Sequence, residues 1–127
     1  MTKLKAKMTN KAQNQKTKYD LEERTTAFTL NVIGLLKKIP ADSINKPLIS
    51  QLVRASSSIG ANYCEADACN SKKDFRHKIS ICKKESKETR YWLRIVADSN
   101  PEQKERCREL WKESQELLLI FSSILSK

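Results

Sequence analysis

Two glycines and three prolines in 127 residues are too few breaks for a sheet protein with many turns, and the scarcity points to an all-helical chain. Long apolar runs are also missing. The opening MTKLKAKMTNKAQNQKTK holds no stretch that could form a secretion-signal core, and no later segment approaches the ~20 apolar residues of a bilayer span. The expectation is a cytoplasmic protein with no membrane role. There Cys64, Cys69, Cys82 and Cys107 are expected to be reduced, and their spacing matches neither a paired CxxC zinc site nor a compact disulfide framework. They read as packing residues. Histidine is nearly absent as well. A carboxylate-bridged metal site in a helical bundle takes two Glu-x-x-His pairs, and here Asp74 to His77 gives that spacing once. Neither a metal nor another cofactor is expected.

What remains is basic and amphipathic. With 39% hydrophobic and 31% charged residues, a chain of this length buries one core and not two. The formal charge of +10 is unevenly placed: residues 1–18 carry six lysines and no acid, and Ser71 to Ser99 holds nine basic residues against four acidic ones. Residues 1–18 read as a solvated, disordered tail whose lysines are expected to join the third helix in contacting nucleic-acid backbone, and residues 19–127 as the folded unit.

Punctuation divides that unit into four helices, at about 20–39, 46–67, 71–99 and 100–126. Asp20 with Glu23 can cap the first, which ends before Pro40; Asn45 or Lys46 precedes the second, entered through Pro47. Ser71 with Asp74 forms a capping box for the third, and Asn100, Pro101 and Gln103 start the fourth. Each carries an apolar seam in alternating steps of three and four. The first reads Leu21, Thr25, Phe28, Val32, Leu35, Ile39; the second Leu48, Leu52, Ala55, Ile59, continued by Asn62 and Ala66. The third reads Phe75, Ile79, Cys82, Ser86, Thr89, Leu93, Val96, and the fourth Cys107, Leu110, Ser114, Leu117, Phe121, Ile124. Short linkers make neighbours antiparallel, so the expected architecture is an up-and-down four-helix bundle, all-α, that oligomerises through helix faces.

The densest run of small residues, RASSSIGANYCEA from Arg54 to Ala66, falls inside the second helix. A phosphate-gripping loop would need several glycines and a lysine, and Gly60 stands alone there. A serine nucleophile would need a base and a strained turn; the one histidine lies on another helix and no GxSxG is present. Ser56, Ser57, Ser58, Gly60 and Ala61 therefore read as positions trimmed for a close neighbouring helix.

Helical geometry at 100° per residue sorts the polar residues. Arg54, Ser58, Ala61 and Glu65 form a stripe beside the second seam, and Ile81, Glu85, Glu88, Trp92 and Ile95 form one on the same angular side of the third. Pairing of Arg54 with Glu85 or Glu88 follows if these stripes face each other; separate solvated charges follow if they face away. On the opposite flank of the third helix, Lys72, Arg76, Lys83, Lys87, Arg90 and Arg94 make a narrow stripe without an acid. No aromatic residue alternates with it, so contact with nucleic-acid phosphates, with little sequence preference, is the chemistry it offers. Tyr91, Trp92 and Ile95 extend the helix's apolar surface beyond one seam and are the candidate oligomer interface.

RASSSIGANYCEA followed by DFRHKISICKKESKETRYWL resembles the four-helix-bundle family of proteins encoded in intervening sequences of bacterial large-subunit ribosomal RNA genes, which also includes accessory proteins of diversity-generating retroelements. The resemblance spans about Tyr19 to Phe121, with Arg54, Ser56, Ser58, Ile59, Asn62, Glu65, Glu88, Thr89 and Leu93 on motif positions. It implies a basic, non-enzymatic bundle, often a ring-shaped homopentamer, and in the retroelement branch a partner of reverse transcriptase and of nucleic acid. Two functions stand side by side at this point: a nucleic-acid-binding accessory protein, and a structural protein–protein interaction module whose charge serves solubility.

Overall fold

In the computed structural model, which describes residues 16–127, four helices follow one another: α1 (Lys16–Leu36), α2 (Asn45–Asp67), α3 (Lys72–Ser99) and α4 (Lys104–Leu125). They form an all-α four-helix bundle. Of the lysine-rich tail, the first fifteen residues lie outside those described. Among the described residues no helix is long and apolar enough to cross a membrane.

The seams meet in one core. All six predicted residues of α1's seam are buried, Ile39 from just beyond the helix end, and so are Leu52, Ala55, Ile59 and Ala66 on α2. On α3 and α4 the buried set runs from Ile79 to Val96 and from Cys107 to Phe121, with Leu48, Phe75 and Ile124 half-buried at the ends. Each large aliphatic or aromatic side chain removed from water contributes about 1.5–3 kcal/mol, which outweighs the weak helix propensity of the serine-rich stretch of α2. Leu36 and Tyr63 join the core from positions adjacent to the seams, and widen it.

Pairing of α2 with α3 runs antiparallel: Asn45 meets Asn100, Ile59 O accepts from Cys82 Sγ, and Glu65 meets Lys78. The same holds for α3 with α4, where Ser114 Oγ donates to Ser86 O at 2.9 Å and Arg76 to Leu125 O at 2.7 Å. A layer of small hydroxyls crosses the middle of the bundle. Thr25, Ser56, Ser86, Thr89 and Ser114 are all buried, and each hydroxyl donates to a backbone carbonyl. Among the described residues no buried side-chain polar atom lacks a partner, so this layer escapes the 1–3 kcal/mol cost of an unpaired group.

Helix ends depart from the sequence reading. The backbone of α1 already begins at Lys16, which places Asp20 inside the helix and not at its cap, and α1 closes at Leu36. There the amides of Lys38 and Ile39 bond to Leu35 O and Leu36 O, a tightening into i→i−3 bonds ahead of Pro40. The start of α2 is held by Asp42, whose Oδ1 accepts from the amides of Ile44 and Asn45. Asn45 and Asn100 are instead buried and exchange reciprocal amide hydrogen bonds of 3.1 and 3.0 Å that tie the start of α2 to the end of α3. Asn100 therefore does not cap α4, which follows a 3₁₀ turn at Pro101–Gln103. At α3, Ser71 Oγ accepts from Asp74 N at 3.1 Å.

The small residues of α2 divide between two environments. Ser56 is buried, with its carbonyl accepting from Thr29 Oγ1, whereas Ser57 and Ala61 are exposed and border a shallow groove between α1 and α2. Gly60 marks the close approach. A Cβ there would lie 3.0 Å from Thr25 Oγ1 and 3.3 Å from its Cβ, and Thr25 is buried, β-branched and bonded to Leu21 O. A Cβ on Gly34 would meet nothing within 4 Å.

These two helical glycines provide an internally controlled test. Gly34→Ala should raise the unfolding free energy by about 0.5–1 kcal/mol through helix propensity and chain entropy, while Gly60→Ala should lower it despite the same intrinsic gain. Urea titration of the two variants checks the opposite signs.

Candidate functional site

The α2–α3 flank holds a compact polar cluster. Glu85 is buried, its side chain retaining 9% of its exposure, and Arg54 Nη1 lies 3.3 Å from its Oε2. Arg54 Nη2 also pairs with Glu88 Oε2, which accepts a further hydrogen bond of 3.0 Å from Trp92 Nε1. Donation from Trp92, and next from Arg54, outweighs desolvation and holds the Glu88 carboxyl below the usual glutamate range. One arginine thus bridges both glutamates. Two to three turns towards the hairpin, Asn62 Nδ2 donates to Ser58 O at 2.8 Å, and Glu65 Oε1 accepts from Lys78 Nζ at 2.6 Å. Ser58 and Glu65 thus continue the Arg54 flank along α2, while Asn62, expected on the seam, is half-buried between the seam and that flank.

The opposite flank of α3 carries the basic stripe, which is split by what its members touch. Arg76 is half-buried and donates to Leu125 O at the end of α4, and Arg90 donates to Gln115 Oε1 with its guanidinium 5.4 Å from the centre of the Trp111 ring. Those two cations brace α4. Lys72, Lys87 and Arg94 are exposed, Lys83 is half-buried, and none of the four forms an ion pair with a described residue. The two central acids of α3, Glu85 and Glu88, are committed to Arg54 on the far side.

No aromatic alternates with this stripe along α3, but the fold sets two beside it. Trp111 of α4, 37% exposed, and Tyr91 of α3, 56% exposed, flank the open cations Lys87 and Arg94 in a cleft of about 320 Å³. A neighbouring cleft of about 280 Å³ shares Trp111 and Arg94 and adds Lys104 and Arg108. Trp111 lies off α4's seam, and its approach to α3 is a tertiary contact that no local pattern encodes; Lys104, Arg108 and Trp111 at helical spacing were the available signal. Also unread was the closure of α1 on α4, where Arg24 reaches Glu113 at 2.7 Å and Glu116 at 2.9 Å.

The three candidate interface residues do not share one environment. Trp92 is half-buried against the core and bonded to Glu88, Ile95 is half-buried, and Tyr91 stands open, its ring edge-on to Trp92 with centroids 5.0 Å apart. The cysteines also divide: Cys82 and Cys107 are core residues whose thiols burial pushes up to about 12 and about 11, far from thiolate character at neutral pH, while Cys64 is exposed and Cys69 half-buried. Among the described residues no group of three or more histidine, cysteine or acidic side chains is placed to hold a metal ion. The hydroxyls of Ser56 and Ser57 donate to carbonyls of their own helix.

Residues 17–123 match the family model of the 23S rRNA-intervening sequence protein. A crystal structure of a protein of unknown function from the S23 ribosomal protein family of Bacteroides thetaiotaomicron has the same fold, with a TM-score of 0.77 and 27% identity over 84% of this chain and 99% of that one. Among curated proteins none matches the chain at significant similarity.

The Arg54 cluster yields a quantitative expectation. Arg54→Ala should cost about 1–2 kcal/mol, below the 3–5 kcal/mol of a dry pair, because Arg54 retains 46% of its side-chain exposure. In double-mutant cycles read by urea unfolding, coupling of Arg54 should be larger to buried Glu85 than to Glu88. The sign with pH follows from the depressed folded-state value of Glu88: its contribution is present above the unfolded-state value and fades as pH falls through the lower folded one. Acid unfolding of Trp92→Phe, which removes the leading hydrogen bond, should therefore gain less stability on raising the pH across that window than the parent does.

Proposed function

The chain belongs to the 23S rRNA-intervening sequence protein family, and from that premise we propose that it is a non-enzymatic, basic bundle protein that binds RNA or DNA through backbone phosphates. In this reading it works as a ring-shaped homo-oligomer, a pentamer, and as an accessory to an RNA or reverse-transcriptase complex. The observation that carries the binding is the segregation of charge on α3. Lys72, Lys83, Lys87 and Arg94 lie on one flank without an ion pair among the described residues, and both central acids of the helix are drawn to Arg54 on the other. A randomly solvated face would interleave the two signs, as α4 does where Arg106 and Arg108 pair with Glu109 and Glu105. Repeated around a ring, the flank would form a continuous positive band. Leu30 and Leu119, each more than half exposed, provide apolar surface for self-association. The same exposed residues favour the second reading, a protein–protein interaction module in which the cations only maintain solubility.

Charge reversal separates the two. Lys83→Glu, Lys87→Glu and Arg94→Glu together should weaken binding to RNA and DNA of any sequence, and the slope of log affinity against log salt should become shallower by about 1 per phosphate contact removed. Helical circular dichroism and oligomer mass should stay unchanged. A parent chain that binds neither RNA nor DNA at low salt would favour the interaction module. Light scattering should give five times the 14.6 kDa chain mass, and a monomer at tens of micromolar would reject the ring.

A further inference from the structure

We propose that the α3–α4 cleft takes an unpaired nucleobase on Trp111, which makes single-stranded nucleic acid, and not duplex, the preferred ligand. This inference rests on the nucleic-acid reading above and adds to it the class of strand.

Phosphate binding alone has no use for an exposed indole. Trp111 nevertheless stands open beside Arg90, whose guanidinium is 5.4 Å from the ring centre, and the ring borders both clefts at once. One cleft is floored by Leu93, Ala97 and Cys107, an apolar surface. The other is cationic, with Lys87 and Arg90 beside Tyr91, and Arg94 is common to the two. A nucleotide has the matching halves: a flat π-surface that stacks on an aromatic ring, and a phosphate one sugar away. Duplexes conceal their base faces and offer such a ring only groove edges and phosphates.

Charge complementarity selects this occupant over a second copy of the chain. Lys104 and Arg108 add positive charge at the rim, Asp98 is the one acid lining either cleft, and Glu105 reaches Arg108 only at 4.0 Å while remaining 82% exposed. A second copy facing the cleft with the same cationic flank would bring like charge to the site. An anionic strand with free bases brings the opposite sign and the aromatic face together.

The test uses the full chain and labelled oligonucleotides of about 20 residues, as RNA and DNA, each single-stranded and duplex, read by fluorescence anisotropy at about 0.1 M salt. The parent should bind single strands more tightly than duplexes of the same sequence. Trp111→Leu should lose about tenfold in affinity for single strands and less than about twofold for duplexes, with its salt dependence unchanged, and Trp111→Phe should restore most of the loss. Circular dichroism establishes that both variants fold, and the two single-strand arms distinguish RNA from DNA as the source of the base. If Trp111→Leu binds every ligand as the parent does, or loses equally on single strands and duplexes, the base site is wrong even where charge reversal on α3 still abolishes binding. If the parent binds no strand at all, the nucleic-acid reading falls and the base site falls with it.

Discussion

A carboxylate removed from water needs a cation within reach, because the desolvation cost of an unpaired one amounts to several kcal/mol. Glu85 is in that position: among the described residues it is the one buried side chain of the Asp, Glu, Lys, Arg and His types, and it lies at the α2–α3 interface beneath Arg54. That pairing is made in one register of α3 along α2, shared with the Asn45–Asn100 pair at one end and the Glu65–Lys78 pair towards the other, and in one rotation of α3 about its axis, the one that also buries its apolar seam. Once Glu85 and Glu88 turn towards Arg54, the flank carrying Lys72, Lys83, Lys87 and Arg94 must turn away from them. Structure and proposed function are linked through this rotation: the same acids that stabilise the hairpin are kept from neutralising the basic face.

The rest of the bundle permits that arrangement by being closely packed elsewhere. Gly60 lets α2 approach Thr25 of α1, and the Ser86–Ser114 contact lets α3 approach α4. Small hydroxyls bonded to carbonyls leave no room for larger side chains and no unpaired polar group, so the helices have little freedom to rotate. Arg76 and Arg90 then fasten α4 from the basic side. The proposed interface is therefore carried on braced helices, and Trp111 is seated beside Arg90 before any ligand arrives.

Much of this was legible because it is periodic. The four seams could be read from steps of three and four, since burial of one helix face is a local pattern, and the angular side of Arg54 relative to Glu85 followed from 100° per residue. Features made by residues distant in sequence were not legible. Arg24 with Glu113 joins the first helix to the last, and Trp111 meets Arg90 across two helices; neither lies on a seam, and their meeting depends on interhelical rotation that no single helix specifies. Helix ends were misread for a local reason. Asp20 and Asn100 are good caps in isolation, but α1 extends beyond the first, and the buried pairing with Asn45 outcompetes capping for the second.

The central claim is that α3 presents two chemically opposite flanks, one consumed by the fold and one left for phosphates. Lysine reactivity measured by mass spectrometry, with and without single-stranded RNA, tests it directly. The account predicts protection of Lys72, Lys83, Lys87 and Lys104 on the α3–α4 side, with Lys78, held by Glu65 on the other flank, and Lys37 and Lys38 beyond the end of α1 unchanged. Protection centred on Lys78 and the Arg54 side, or spread evenly over all the lysines, would contradict it.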